Sequence, residues 1–135
     1  MIKTREEFEH WLFEMDDKLN MFFDSLSISS RLDYSEASLI DIEKWVLIHY
    51  ESIEKLQSDS HIFDLLAIYI GEVFRKNLNT TWDIILNDPE YAYYQVPEIK
   101  LPTPVCPFFL LTASIDRQKG DFIKTVYVNT KKRYA

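Results

Sequence analysis

Along the first part of the chain Phe8, Trp11 or Leu12, Met15, Leu19, Phe22 and Leu26 recur at helical spacing. That period puts them on one face, and it predicts a first helix from about Thr4 to Leu26. Thr4 with Glu7 three residues on is a capping-box pattern, and Glu6 and Glu7 suit the positive end of the helix dipole. Ser27-Ile28-Ser29-Ser30 is expected to end it. A second helix is expected from Ser35, a good N-cap, with Leu39, Ile42, Trp45 or Val46, and His49 on one side. Tyr50 to Asp59 reads as a polar linker. The run from Phe63 to Leu78 is then apolar almost all the way round, with Gly71, Glu72 and Arg75 inside it. A helix apolar on most sides is buried among neighbours. This one, capped by Asp59 or Ser60, should be central.

The pattern changes after Asn79. Thr81 to Leu86 and Tyr91 to Val96 are short, aromatic and β-branched, with Asn87-Asp88-Pro89-Glu90 between them. That predicts a hairpin with a turn longer than two residues. Pro97, Pro102, Pro104 and Pro107 keep residues 97–107 extended, and a strand there must be an edge or a short piece because proline cannot donate to the ladder. Phe108, Leu111 and Ile115 fit a helix with Pro107 in its first turn. Beyond Gly120, residues 122–128 have strand composition, yet Ile123, Tyr127 and Thr130 fall at helical spacing. The reading leans to helix. The expected class is α+β: three N-terminal helices, a small antiparallel sheet from Trp82 to about Cys106, and one or two C-terminal helices, in a single domain over residues 1–135.

Composition narrows the partners. A hydrophobic share of 47% and an aromatic share of 15% lie well outside the disordered range. No apolar run reaches the roughly 18 residues of a membrane span, and the N-terminal residues lack the apolar core of a secretion signal. The one cysteine, Cys106, cannot form an internal disulfide. A soluble cytoplasmic domain is expected. Residues 1–90 hold 8 Lys and Arg against 19 Asp and Glu, whereas residues 91–135 hold 7 against 3. Such an acidic surface repels phosphates and argues against a nucleic-acid binder. It either steers a basic partner by its field or simply keeps the chain soluble. Lys131-Lys132-Arg133 reads as a solvated basic end.

The run Tyr69-Ile70-Gly71-Glu72-Val73-Phe74-Arg75, followed by Leu78 and Trp82, resembles a pattern in small uncharacterised bacterial domains. In these a Y-(L/I)-G-E-x-(I/V/L/F)-R helix precedes a Trp-bearing strand, and a Pro-Phe step later leads into C-terminal helices. Cys106-Pro107-Phe108 corresponds to that step, and the resemblance, covering roughly residues 60–130, places Tyr127 on the last helix. Such domains often carry Gly-Gly before the Trp, where this chain has Asn79-Thr80-Thr81; asparagine also enters left-handed conformations. Some domains of this kind resemble immunity proteins encoded beside toxins. The resemblance therefore implies a fold and a binding role, and no activity.

Chemistry-bearing motifs are few. Gly71 and Gly120 alone cannot build a phosphate-cradling loop, and there is no G-x-S-x-G elbow. His10 with Glu9 and Glu14, or His61 with Asp64, makes at most a two-ligand metal half-site. His49, near a helix end, suits a cap or dipole partner, and Cys106 reads as a buried structural thiol. No cofactor, metal or catalytic residue is expected. Glu72 meets Arg75 and Lys76 at i+3 and i+4. It is either a structural ion pair or a held carboxylate that orients a ligand. Gly71 admits close approach by another element, Trp82 or the first helix, against a helix penalty of about 1 kcal/mol. Tyr91 and Tyr93 would share a strand face, as a protein-binding hot spot or as cover for the sheet. The candidate binding residues are thus Glu72, Arg75, Trp82, Tyr91 and Tyr93. Three functions fit: a non-enzymatic protein-binding module, such as an immunity protein neutralising a basic toxin; a ligand binder or enzyme with a pocket around Glu72 and Arg75; or an oligomeric structural or phage-type accessory protein.

Overall fold

The computed structural model describes residues 1–26, 28 and 31–134. Its elements run α1 (Arg5–Phe13), α2 (Met15–Ser25), α3 (Ser38–His49), α4 (Ile53–Ser58), α5 (Ser60–Leu78), β1 (Trp82–Asp83), β2 (Glu98–Ile99), α6 (Pro107–Arg117) and α7 (Phe122–Tyr134). The fold is mostly helical with a small antiparallel sheet.

The single N-terminal helix expected from the apolar period is two helices that meet at Glu14. Phe8, Trp11, Met15, Leu19, Phe22 and Leu26 are all buried, so the apolar face continues across the break. Thr4 caps α1: its hydroxyl accepts from the Glu7 N–H at 3.1 Å, and the Glu7 carboxylate accepts from the Lys3 N–H at 2.8 Å. The expected stop at Ser27-Ile28-Ser29-Ser30 falls mostly outside the described residues. α3 starts at Ser38, three residues later than expected, with Ala37 rather than Ser35 at its N-cap, because the Ser35 hydroxyl accepts from the Ser38 N–H at 3.3 Å and closes a turn ahead of the helix. Residues 50–59, read as a linker, hold the six-residue α4, capped by Ser52 and anchored by buried Leu56. A helix that short has too few apolar positions to show a period. Among the described residues five helices therefore precede β1 where three were expected.

α5 is the centre of the packing. Every residue from Leu65 to Phe74 is buried, and α2, α4, α6, α7 and β2 all pack on it. Asn79 closes it in the left-handed region at φ 53°, its N–H bonding the Arg75 carbonyl. Halfway along, the Trp82 indole lies directly on the Gly71 backbone: a Cβ there would sit 2.0 Å from Trp82 Cη2. Trp11 meets Trp82 edge-on at 4.9 Å.

The expected hairpin does not form. Trp82 and Asp83 pair with Ile99 and Glu98, and Ile99 bridges Val105, so the partner strand comes from the proline-flanked segment. Tyr91 to Val96 instead folds into successive turns, with Tyr94 N–H bonded to the Tyr91 carbonyl and Val96 N–H to the Tyr93 carbonyl. Asp88 starts them: its side chain accepts from the Glu90 N–H and its carbonyl from the Tyr91 N–H. These local bonds satisfy the backbone before a ladder can, which overrides the strand preference of the tyrosines.

Pro107 occupies the first turn of α6, Gln118 ends that helix at φ 54°, and Gly120 follows at φ 86°. Residues 122–128 are helical. Glu43, fully buried in α3, accepts from the backbone N–H groups of Phe122 and Ile123 and so caps α7 from a distant element.

Candidate functional site

Glu72 and Arg75 form a two-pronged ion pair on α5, with both Nε and Nη2 of the guanidinium donating to the carboxylate. The Glu72 side chain is 4% exposed and that of Arg75 36%. The hydrogen bond that Arg75 donates to Glu72 holds it above its ordinary pKa, and the nearby Asp16 of α2 adds to that field. Lys76 does not join them. Its ammonium sits 4.2 Å over the Tyr34 ring. Tyr34, at φ 63°, is tied to α5 on three sides. Its N–H donates to the Tyr69 hydroxyl at 3.0 Å, its carbonyl accepts from Asn77 at 2.8 Å, and its ring stacks on Tyr69. Burial pushes the Tyr34 phenol up to about 12. The Tyr69 hydroxyl in turn donates to Ser38 at 2.7 Å. This half of α5 thus fastens the segment leading into α3.

Tyr91 and Tyr93 meet edge-on at 5.7 Å, and Tyr93 meets Phe109 of α6 edge-on at 5.0 Å. The Tyr91 hydroxyl donates to the buried Glu98 carboxylate at 2.7 Å. Burial raises the Glu98 carboxyl, the Tyr91 bond opposes that, and neighbouring Asp83 adds to it. Burial also pushes the Cys106 thiol up to about 11, far from the thiolate that nucleophilic chemistry needs. Glu98 binds its proton more tightly folded than unfolded. Its contribution to stability is therefore full in acid and is lost as pH rises from the ordinary 4.5 through its higher folded value. Urea-unfolding midpoints should fall over that interval. Glu98→Gln, which keeps an acceptor for Tyr91, should flatten the fall; an unchanged slope in that variant would exclude Glu98 as its source.

The described residues also form concavities. One of about 430 Å³ lies between residues 103–106, α6 and α7, with Tyr93, Phe109 and Arg133 in its wall. A second, about 650 Å³, lies between α1, α5 and α6. A third, about 530 Å³, is bounded by Glu51, Glu54 and Asp116. Glu72, Arg75 and Trp82 line none of them. Phe109, 43% exposed, separates the first two. Asp64 stands in the wall of the second, accepting from Trp11 Nε1 at 3.0 Å and from Lys18 Nζ at 3.1 Å. Asp64 is thus engaged away from His61. His10 pairs with Glu14 at 2.6 Å on the open surface, and His49 Nδ1 lies 2.8 Å from the Trp45 carbonyl. Among the described residues no group of three or more side chains is placed to hold a metal.

The surface of α1 and α2 carries what the apolar period passed over. Phe13 is 83% exposed and Met21 65%. Asp17, Met21 and Asp24 follow one another at helical spacing on the side away from buried Met15, Leu19 and Phe22. Glu6, Glu9, Asp17 and Asp24 make no ion pair among the described residues, while Lys18 is spent on Asp64 and Arg5 lies over the Phe8 ring. The legible signal was large apolar residues lying off the buried stripe. Compared with protein-family models, curated proteins and solved structures, the chain matches none of them.

Proposed function

We propose that this is a non-enzymatic protein-binding module that offers the acidic face of α1 and α2 to a basic partner, as an immunity protein does to a toxin. The observation that carries this reading is the exposure of Phe13 and Met21 near carboxylates that make no ion pair among the described residues. Large exposed apolar side chains serve as anchors once desolvated by a partner. Unpaired like charges around them raise the rate of encounter with a basic surface and select against acidic ones.

The test uses the product of the gene beside this one, when that gene encodes a secreted protein with a basic C-terminal domain. The wild-type protein should bind that domain and protect cells expressing it, with association slowing as salt rises. Asp17→Lys combined with Asp24→Lys, and separately Phe13→Glu, should each weaken binding about tenfold or more, the size of one lost close charge pair or anchor. Both variants should keep the helical circular dichroism of the parent. Equal binding by the folded charge-reversed variant would remove the α1–α2 face from the reading.

A further inference from the structure

The cavity between α1, α5 and α6 has features that the protein-binding face does not use. Its volume of about 650 Å³ falls in the range of small-molecule sites, roughly 300–1,000 Å³. The rings of Trp11, Phe63, Phe108 and Phe109 form much of its wall, with Phe63 and Phe108 edge-to-face at 5.3 Å. Aromatic walls of mixed orientation favour a flat ring that can stack on one and meet another by its edge.

The polar groups are fewer and held in place. Asp64 carries the only side-chain charge among the described residues lining the cavity, and Lys18 lies against one of its oxygens at 3.1 Å. That pair is close to neutral, so an anion gains nothing from it and a cation at Asp64 must compete with Lys18. A carboxylate has about four acceptor positions, of which Trp11 and Lys18 take two. The rest can accept from a ligand. Gln95 also lines the cavity, and its backbone sits at φ 64°, a strained value for a residue with a side chain. Two bonds hold it there: its N–H donates to the Ile85 carbonyl at 3.1 Å, and its carbonyl accepts from the Ile2 N–H at 3.3 Å.

We infer that this cavity binds a neutral, flat aromatic molecule bearing an N–H or O–H group that donates to Asp64. The inference is independent of the protein-binding reading. Indole is the probe, set against 1-methylindole, which lacks the donor, and indole-3-acetate, which adds a negative charge. Titration is followed by nuclear magnetic resonance of the Trp11 indole N–H and the Gln95 amide, with calorimetry for affinity. Indole should move both signals. Loss of a hydrogen bond to a charged acceptor should make 1-methylindole about tenfold weaker, and indole-3-acetate should be weaker still. Thr112→Trp, which fills the cavity, should abolish binding while the circular dichroism stays that of the parent. Gln57→Trp, on the other wall, serves the same purpose if that variant does not fold. Absence of shifts with indole, equal affinity for 1-methylindole or indole-3-acetate, or binding that survives in a folded cavity-filled variant would each overturn the inference.

Discussion

Gly71→Ala should destabilise the protein by about 2–3 kcal/mol, the scale of overpacking in a close-packed core. The added Cβ would stand 2.0 Å from Trp82 Cη2 and 2.1 Å from Cζ2. Neither side can yield cheaply. Gly71 is in the buried middle of α5, and Trp82 is held by its pairing with Ile99 and by the edge contact of Trp11. Alanine's better helix propensity returns only about 1 kcal/mol. Trp82→Phe removes the ring atoms that clash, so the double variant should be more stable than the sum of the two single losses, as contacting residues couple. Urea unfolding of all four proteins measures this. Strict additivity, or a Gly71→Ala protein as stable as the parent, would show that the indole moves aside without cost.

The second large effect is expected at Glu43. Its two oxygens accept from Phe122 N at 3.1 Å and Ile123 N at 2.7 Å, and the residue is fully buried. The carboxylate lies at the positive end of the α7 dipole. Glu43→Ala leaves the buried Ile123 N–H and the half-buried Phe122 N–H without a partner and should cost about 3 kcal/mol, since each unsatisfied buried group carries a penalty of about 1–3 kcal/mol. Glu43→Gln keeps one acceptor oxygen and should fall between. Hydrogen exchange locates the damage: amides of α7 should lose protection in Glu43→Ala before those of α5. Uniform loss across both helices would mean that Glu43 supports the whole core rather than the docking of α7.

Much of this architecture was legible along the chain because it is written in local terms. The period of Phe8, Trp11, Met15, Leu19, Phe22 and Leu26 identified the buried face of α1 and α2, and the unbroken apolar run identified α5 as central. Thr4, Asn79 and Pro107 marked element ends through side-chain or backbone chemistry that acts within a few residues. The break at Glu14 and the short α4 escaped, since neither disturbs the apolar stripe enough to be seen. The hairpin expectation failed where strand propensity met turn chemistry, and the Asp88 turn won.

The candidate site was less legible, for a physical reason. Glu72 with Arg75 was readable because the two lie three residues apart on one helix. The bonds that shape the cavity and dock the last helix join residues far apart in sequence: Trp11 to Asp64 across 53 positions, and Glu43 to Ile123 across 80. No local pattern marks such a pair, because its stability comes from burial that exists only once the helices have packed. The sequence by itself determined the long apolar helical stretches, the central place of α5 and the need for Gly71 to stay small. Only the tertiary structure decided that Trp82 is what rests on Gly71, that the strand partner comes from beside Pro97, and that Asp64 is held in a cavity wall. Each of those outcomes depends on which buried faces meet, and that is settled by packing between elements rather than within them.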